Sequence, residues 1–384
     1  MAIRIPFLKL PASQPSIARE YRSRMARVLA RGQFILGEEV ARFEREFAKF
    51  CGAQFCVGVG NGTEALQIAL RLSGIRHGGN QEVITTPLTA SFTAHAIVAA
   101  GARPVFADVD PQSLLLDPAA VRHRMSPRTA AIVPVHLYGA CCDLQAFRSL
   151  AKRHGSALIQ DAAQAHGSTF HGSPLADYSD WVAFSFYPTK NLGALGDGGA
   201  LVTNRRALAE AARSYRNGSR NSSGKGSSHV ARAEGINSRL DELQAALLRV
   251  HLRHLKTWNR RREALAARYD RQLRERLGEL LGDQVRLLPR RAHGHSSNHL
   301  YVIRVADRDS LRAHLLRRGI ETGIHYETPL HLQPGFRWLG YRRGDFPQAE
   351  RAARELCSLP LHPFLREAQV DAVAQAIRQF FQGR

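Results

Sequence analysis

The 384-residue sequence predicts an α/β fold: a seven-stranded, mostly parallel sheet between helices, followed by a smaller C-terminal α+β unit. Three observations predict it. Short runs rich in Val and Ile alternate with segments of helical period, as in sheets whose parallel strands are joined through helices. From residue 240 to about 277 the chain is almost continuously helix-forming, with Leu243, Leu247, Val250 and Leu255 on one apolar stripe. The length also exceeds what a single core usually serves. Residues 1–256 are expected to hold an N-terminal segment and the large α/β domain. Residues 257–384 are expected to hold a long connecting helix and the small domain.

In chain order, apolar runs place strands at residues 55–59, 82–85, 104–107, 130–135, 157–160, 181–184 and 199–203. Helical periods place helices between them at 64–72, 93–100, 118–125 and 144–154. The Gly- and Ser-rich stretch 217–228 reads as a loop. After the long helix, the basic and polar residues 290–298 lead into a strand at 300–305 and helices at 310–318, 348–356 and 367–381. No internal repeat is present.

Composition excludes several classes of function. No apolar run approaches the ~20 residues that cross a bilayer, and the start, Met1-Ala2-Ile3-Arg4-Ile5-Pro6-Phe7, lacks the pattern of a signal peptide. A cytoplasmic protein without membrane contact is expected. Five cysteines make an odd count, and the adjacent Cys141 and Cys142 are awkward to bridge to each other, so the thiols are expected to be reduced. Neither the cysteines nor the seventeen histidines show zinc-ligand spacing, and no metal is expected. The formal charge of +21 is spread along the chain with no helix-turn-helix, RNP or zinc-finger pattern beside it. It reads as a solvated arginine-rich surface that would help collect an anionic substrate, not as a nucleic-acid site.

Lys190 is one of six lysines in a chain otherwise charged by arginine. A buried amine, unlike a guanidinium, can lose its proton and attack a carbonyl as a Schiff-base nucleophile. Asp161 closes an apolar strand, where active sites of open α/β sheets lie, and suits the partner of a pyridinium nitrogen. Together they suggest pyridoxal 5'-phosphate; a solvated loop lysine and a helix-capping aspartate are the plain alternative. Gly60-Asn61-Gly62-Thr63-Glu64 follows a strand and opens a helix, a place where backbone donors can hold a phosphate or simply cap. Gly62 would let the backbone approach closely, and Thr63 could add a hydroxyl. The glycines of residues 193–199 precede a strand instead of joining strand to helix, so they are no dinucleotide fingerprint. They read as a low-bulk turn beside Lys190. Phe92, at a helix start, suits either stacking on a planar cofactor or the core. Ser185, at a strand end, could donate to the same phosphate.

These pieces sit in longer motifs. They include Phe34-Ile35-Leu36-Gly37 before Phe43-Glu44, Asn61 to Leu66, Gly101 to Asp108, Gln160-Asp161-Ala162-Ala163-Gln164-Ala165-His166-Gly167, Ser185 to Lys190, Gly235-Ile236-Asn237-Ser238-Arg239, and His325-Tyr326 with Pro329-Leu330-His331. In order and spacing, from about Ile5 to Val370, the chain resembles the sugar-nucleotide aminotransferases of the DegT/DnrJ/EryC1/StrS family. The resemblance implies a fold type I, pyridoxal phosphate-dependent aminotransferase acting as a homodimer in amino-sugar biosynthesis. It implies Lys190 as the Schiff-base (aldimine) lysine and proton shuttle, and Asp161 as the partner of the ring nitrogen. Gln164 would touch the ring and Phe92 stack on it. Gly62, Thr63 and Ser185 would hold the phosphate, with Asn237 reaching over from the neighbouring subunit.

The resemblance further implies that L-glutamate gives the amino group and a keto-sugar nucleotide receives it. The likeness is to members that aminate C3 of a dTDP-linked 3-keto-6-deoxyhexose, with Tyr187, Lys225, His325 and Tyr326 near the substrate diphosphate. The chain departs from close relatives at Lys225-Gly226-Ser227-Ser228-His229, which lacks a tyrosine found there, and at Glu327. A C4-keto sugar or an aminocyclitol is the alternative substrate. A basic regulatory or binding protein on the same scaffold is the alternative outside enzymes.

Overall fold

The apolar runs pair into the expected sheet. The computed structural model describes residues 4–219, 231 and 233–383. Its strands, in chain order, are β1 (Phe55–Val59), β2 (Glu82–Thr85), β3 (Arg103–Phe106), β4 (Thr129–Ile132), β5 (Ala157–Asp161), β6 (Thr169–Phe170), β7 (Ser173–Pro174), β8 (Trp181–Ser185), β9 (Gly199–Thr203), β10 (Val285–Leu287), β11 (Gly294–His295), β12 (Tyr301–Val305) and β13 (Leu356–Leu359). Seven form one sheet in the order β1-β9-β8-β5-β4-β2-β3. β2, β3, β4, β5 and β8 pair in parallel. β9 runs antiparallel to both of its neighbours. A parallel return needs a crossover, usually a helix. Residues 186–198, between β8 and β9, contain none, so the chain folds straight back and leaves Lys190 on a loop at the sheet's edge.

The helices are α1 (Pro15–Arg31), α2 (Glu38–Phe50), α3 (Gly62–Leu72), α4 (Ser91–Ala99), α5 (Pro118–Arg124), α6 (Leu144–His154), α7 (Arg206–Tyr215), α8 (Glu242–Leu277), α9 (Arg308–Arg317), α10 (Pro347–Glu355) and α11 (Glu367–Gln382). Side chains of Asn61, Asp117, Asp143, Asp241 and Asp307 cap five of them. Each oxygen satisfies an amide that a helix start leaves without an internal partner. At α2 the carboxylate comes from far away: Glu242 accepts from Gly37, Glu39 and Val40 at 2.8–2.9 Å.

Around these elements lie two kinds of core. Phe43 and Phe47 of α2 meet Phe184 and Phe186 edge-on at 5.1–5.2 Å, filling one face of the sheet. Toward the C-terminus, β10, β12 and β13 make a second, antiparallel sheet. Leu265, Tyr269 and Leu273 of α8 pack into its core with Leu311, Val373 and Ile377. α8 runs unbroken across residues 256 and 257.

Some boundaries differ from those expected, for physical reasons. β4 stops at Ile132 instead of reaching residue 135, and Pro134, with no N–H, cannot serve the ladder there. α10 ends one residue earlier than expected, and Leu356 instead opens β13 against β12. α1, α2 and α7 were not anticipated. α1 buries only Ile17, Tyr21 and Val28 over seventeen residues, and the buried face of α7 is Ala209, Ala212 and Tyr215, where alanine is a weak marker of a core. The arginine surface also needs correction: Arg216, Arg249, Arg262, Arg304 and Arg308 are buried. Arg216, for example, binds Glu44 Oε1 and the Gly58 carbonyl at 2.5 Å. Among the described residues no helix is long and apolar enough to cross a membrane.

Candidate active site

β5 ends at Asp161, β8 ends at Ser185, and α3 begins at Gly62, so three chain directions converge at one edge of the sheet. Asp161 is 5 % exposed. Its Oδ2 accepts from the Thr93 hydroxyl at 2.8 Å and its Oδ1 from the Ala163 amide at 3.0 Å. Burial raises its pKa, while the Ala163 and Thr93 donors and the charge of Lys190 hold it back. For Lys190, burial pulls the amine down to about 8 against the opposing pull of Asp161. The two groups feel each other, yet among the described residues they form no direct ion pair. Burial disfavours the charged form of each group, and it leaves the Lys190 amine able to lose its proton near neutral pH.

At the start of α3, Asn61 Oδ1 accepts from the Glu64 amide at 2.9 Å. The amides of Gly62 and Thr63 have no partner among the described residues, and they add to the positive end of the helix dipole. A Cβ on Gly62 would lie 2.7 Å from the Ser185 Cβ, and one on Gly199 would lie 2.4 Å from the Asn61 backbone. Bare backbone thus forms a cradle between α3 and the ends of β8 and β9. Gly62→Ala is expected to displace Ser185 and to cost about 1–3 kcal/mol of stability, as overpacking does. Thermal melts check this; an alanine variant as stable as the parent would mean the contact yields freely.

Above the cradle, Gln164 is fixed at both ends of its carboxamide. Oε1 accepts from the Tyr138 amide at 2.6 Å, and Nε2 donates to the Tyr326 hydroxyl at 3.0 Å. Tyr138 donates its own hydroxyl to the His325 carbonyl. It takes a left-handed φ of 61°, a conformation that costs energy in a residue other than glycine. His325 pairs with Ser358 Oγ at 2.9 Å and stacks on Phe7 at 5.6 Å. Burial, then the Lys190 charge, lowers its pKa to about 4.

The structure therefore brings Gly62, Thr63, Asp161, Gln164, Ser185, Lys190, His325 and Tyr326 together. Phe92, one residue before Thr93, is 64 % exposed, and Tyr187 is 53 % exposed. Asn237 is exposed between the partly buried Ile236 and the buried Ser238, whose hydroxyl reaches both the Gly60 amide and Glu64. Lys225 lies outside the described residues. Sequence reasoning missed Thr93, Tyr138, Asn191 and His299. Only Thr93, beside Phe92 at a helix start, carried any local signal.

The site also passes a test of fit for a planar phosphate-bearing aldehyde. The bare Gly62 cradle with free amides suits a phosphate, the low-pKa amine suits the aldehyde, and the buried carboxyl suits a protonated ring nitrogen. Fold and site define the class: a pyridoxal phosphate-dependent sugar aminotransferase. The chain belongs to the DegT/DnrJ/EryC1/StrS aminotransferase family, whose sequence profile matches residues 15–378. It is 44 % identical to a dTDP-3-amino-3,4,6-trideoxy-alpha-D-glucose transaminase of Streptomyces venezuelae, over 98 % of this chain and 96 % of that protein. It is 42 % identical to a protein of Geobacillus stearothermophilus called a pleiotropic regulatory protein, over 98 % of both chains. Among solved structures, S. venezuelae DesV in complex with a ketimine intermediate superposes with a TM-score of 0.91, at 42 % identity and 98 % coverage of both chains. NtdA of Bacillus subtilis, with bound cofactor PMP, superposes with a TM-score of 0.90 at 28 % identity, covering 100 % of this chain and 86 % of that one.

Proposed function

We propose that the chain transfers an amino group from L-glutamate to C3 of a dTDP-linked 3-keto-6-deoxyhexose, with Lys190 and Asp161 as its catalytic residues. The observation that carries the reading is the Lys190 amine, brought to about 8 by burial beside the buried Asp161 carboxyl. The S. venezuelae transaminase, alike over nearly the whole chain, supports the C3 position and the nucleotide. Pyridoxal phosphate, when bound, supplies an aldehyde that captures amines and a ring that draws electrons from the neighbouring carbon. Lys190 would hold the aldehyde through its amine, and the same amine, with its proton labile near neutral pH, would serve as the group that moves a proton at the reacting carbon. Asp161, its oxygens fixed by Thr93 and Ala163, would keep the ring nitrogen protonated. Gly62, Thr63 and Ser185 bind the phosphate. Gln164 orients the ring and Phe92 covers it. Tyr187, Lys225, His325 and Tyr326 meet the substrate diphosphate.

A homodimer completes the site in this reading, with Asn237 crossing to the partner's phosphate. Phe34, Ile35 and Leu195 are exposed apolar residues. They flank the start of α8, where Ile35 bridges Asp241 and the Leu195 amide bonds Gln244 Oε1 at 2.9 Å. Such exposure favours a covering partner. Asn237→Ala is expected to weaken cofactor retention about tenfold to a hundredfold, the loss of roughly one hydrogen bond to a charged group. Mixed with Lys190→Ala, it should regain activity through hybrid dimers carrying one intact site. Absence of recovery in verified hybrids would argue that each chain builds its own site.

The regiochemistry is tested by loading the pyridoxamine phosphate form and following the return of the aldehyde absorbance with different keto-sugar nucleotides. The 3-keto substrate should restore it fastest. Preference for a 4-keto sugar or a cyclitol would overturn the C3 assignment, and protein that takes up no cofactor would favour a regulatory role. Capture of pyridoxal phosphate by the cofactor-free chain should rise with pH up to about 8 and level above it, because only the neutral Lys190 amine attacks. A rate still climbing at pH 10 would mean an ordinary solvated lysine.

A further inference from the structure

We propose that Asn191 is a positioning residue for Lys190, its carboxamide tying the lysine's loop to α8 and to residues 297–299 and so keeping the amine out of water beside Asp161. The inference rests on the reading of Lys190 as the cofactor lysine. Asn191 is 5 % exposed and immediately follows it. Its Nδ2 donates to Asn259 Oδ1 of α8 at 3.1 Å and to the Ser297 carbonyl at 2.8 Å, and its Oδ1 accepts from His299 Nδ1 at 3.1 Å. Three oxygen and nitrogen partners therefore use three of the four bonds a carboxamide can make. Because the Asn191 oxygen only accepts, the proton of His299 sits on Nδ1.

The partners are themselves anchored. Asn259 Nδ2 donates to the His166 carbonyl at 2.7 Å, and Ser297 Oγ donates to the Gln164 carbonyl at 3.0 Å. One network thus sets both the Lys190 loop and the segment carrying Gln164. The loop is pinned again two residues on, where His251 Nδ1 of α8 donates to the Gly193 carbonyl at 2.7 Å. Gly193 has no room for a side chain, since its Cβ would stand 2.3 Å from the Pro188 carbonyl oxygen. Between these pins the backbone closes on itself, Lys190 N–H to the Tyr187 carbonyl at 2.9 Å and Ala194 N–H to the Phe186 carbonyl at 2.7 Å. Nothing in the chemistry of transamination requires a carboxamide next to the lysine. Its three ties matter through the place they give the amine.

Asp161, His166, His299 and His325 are the titratable groups whose charges couple to Lys190. Burial first, and the Lys190 charge next, holds His166 to about 3, His325 to about 4 and His299 well below its ordinary value. All three histidines are neutral at pH 7, so a change in the acidity of Lys190 reports its own surroundings.

The test is trace acylation of the cofactor-free full-length chain with acetic anhydride across pH, read lysine by lysine by mass spectrometry. Lys9, Lys49, Lys152 and Lys256 serve as references. In Asn191→Ala the midpoint for Lys190 should rise by at least about one pH unit toward the ordinary lysine value, a tenfold change in its acidity. Asn259→Ala, which removes one tie of the three, should raise it less and in the same direction. An unchanged midpoint in folded Asn191→Ala overturns the proposal. Where that variant fails to melt cooperatively, an unchanged midpoint in folded Asn259→Ala overturns it instead. If the parent chain fails to attach pyridoxal phosphate at Lys190, the functional reading falls, while the midpoint shift still decides the role of Asn191.

Discussion

Lys190→Ala is expected to lower turnover by at least about 10⁴-fold, the upper range for loss of a proton-transferring group, because in the proposed function the same amine would hold the cofactor and move the proton. The fold should survive. A desolvated amine at about 8 carries an unfavourable burial of charge, and Lys190 belongs to neither of the core clusters built on the sheet. Removing it should leave the melting temperature within a few degrees. The Asp161 carboxyl, which the Lys190 charge helps to keep ionised, should move further up in pKa. Stopped-flow absorbance with the pyridoxamine form separates the outcomes. Partial rescue by small primary amines would mark the chemical role, whereas activity near that of the parent would remove Lys190 from the mechanism altogether.

The second large effect is expected at Asp161. Asp161→Asn keeps the shape and can still accept from the Ala163 amide, but it replaces with a neutral group the carboxylate proposed to partner the ring nitrogen. Turnover should fall on the order of 10²–10³-fold, the range seen when a preorganised electrostatic contact is lost from a desolvated site. Cofactor should still attach to Lys190, since capture depends on the amine. Without the opposing pull of Asp161, that amine should sit below about 8, so the capture profile should shift to lower pH. The sign follows from the pair: a carboxylate favours the charged lysine, and its removal releases the proton more readily. Loss of capture together with loss of turnover would mean that Asp161 supports the fold of the loop instead.

Much of this site is legible in the sequence because its signals are local. Asp161 ends an apolar run, Gly62 opens a helix, and Lys190 is a rare lysine in an arginine-rich chain; each is visible within a few residues. The alternation of strand and helix gives the seven-stranded sheet for the same reason. The antiparallel turn of β9 could have been foreseen, since residues 186–198 contain no helix to carry a parallel crossover. The supporting groups were not visible. Thr93 lies far along the chain from the Asp161 it fixes, Tyr138 from the His325 it holds, and Asn259 and His299 from the Asn191 they bind. Their residue types recur everywhere in soluble proteins, and nothing around them shows which partner they meet.

The sequence by itself determined the fold class and the family, and it singled out the amine and carboxylate proposed to carry the chemistry, because periodicity, turn residues and motif spacing are written along the chain. Only the tertiary structure decided how acidic that amine and carboxylate are and what holds them in place. Desolvation and hydrogen bonding depend on atoms brought together across hundreds of residues, and no local pattern encodes them.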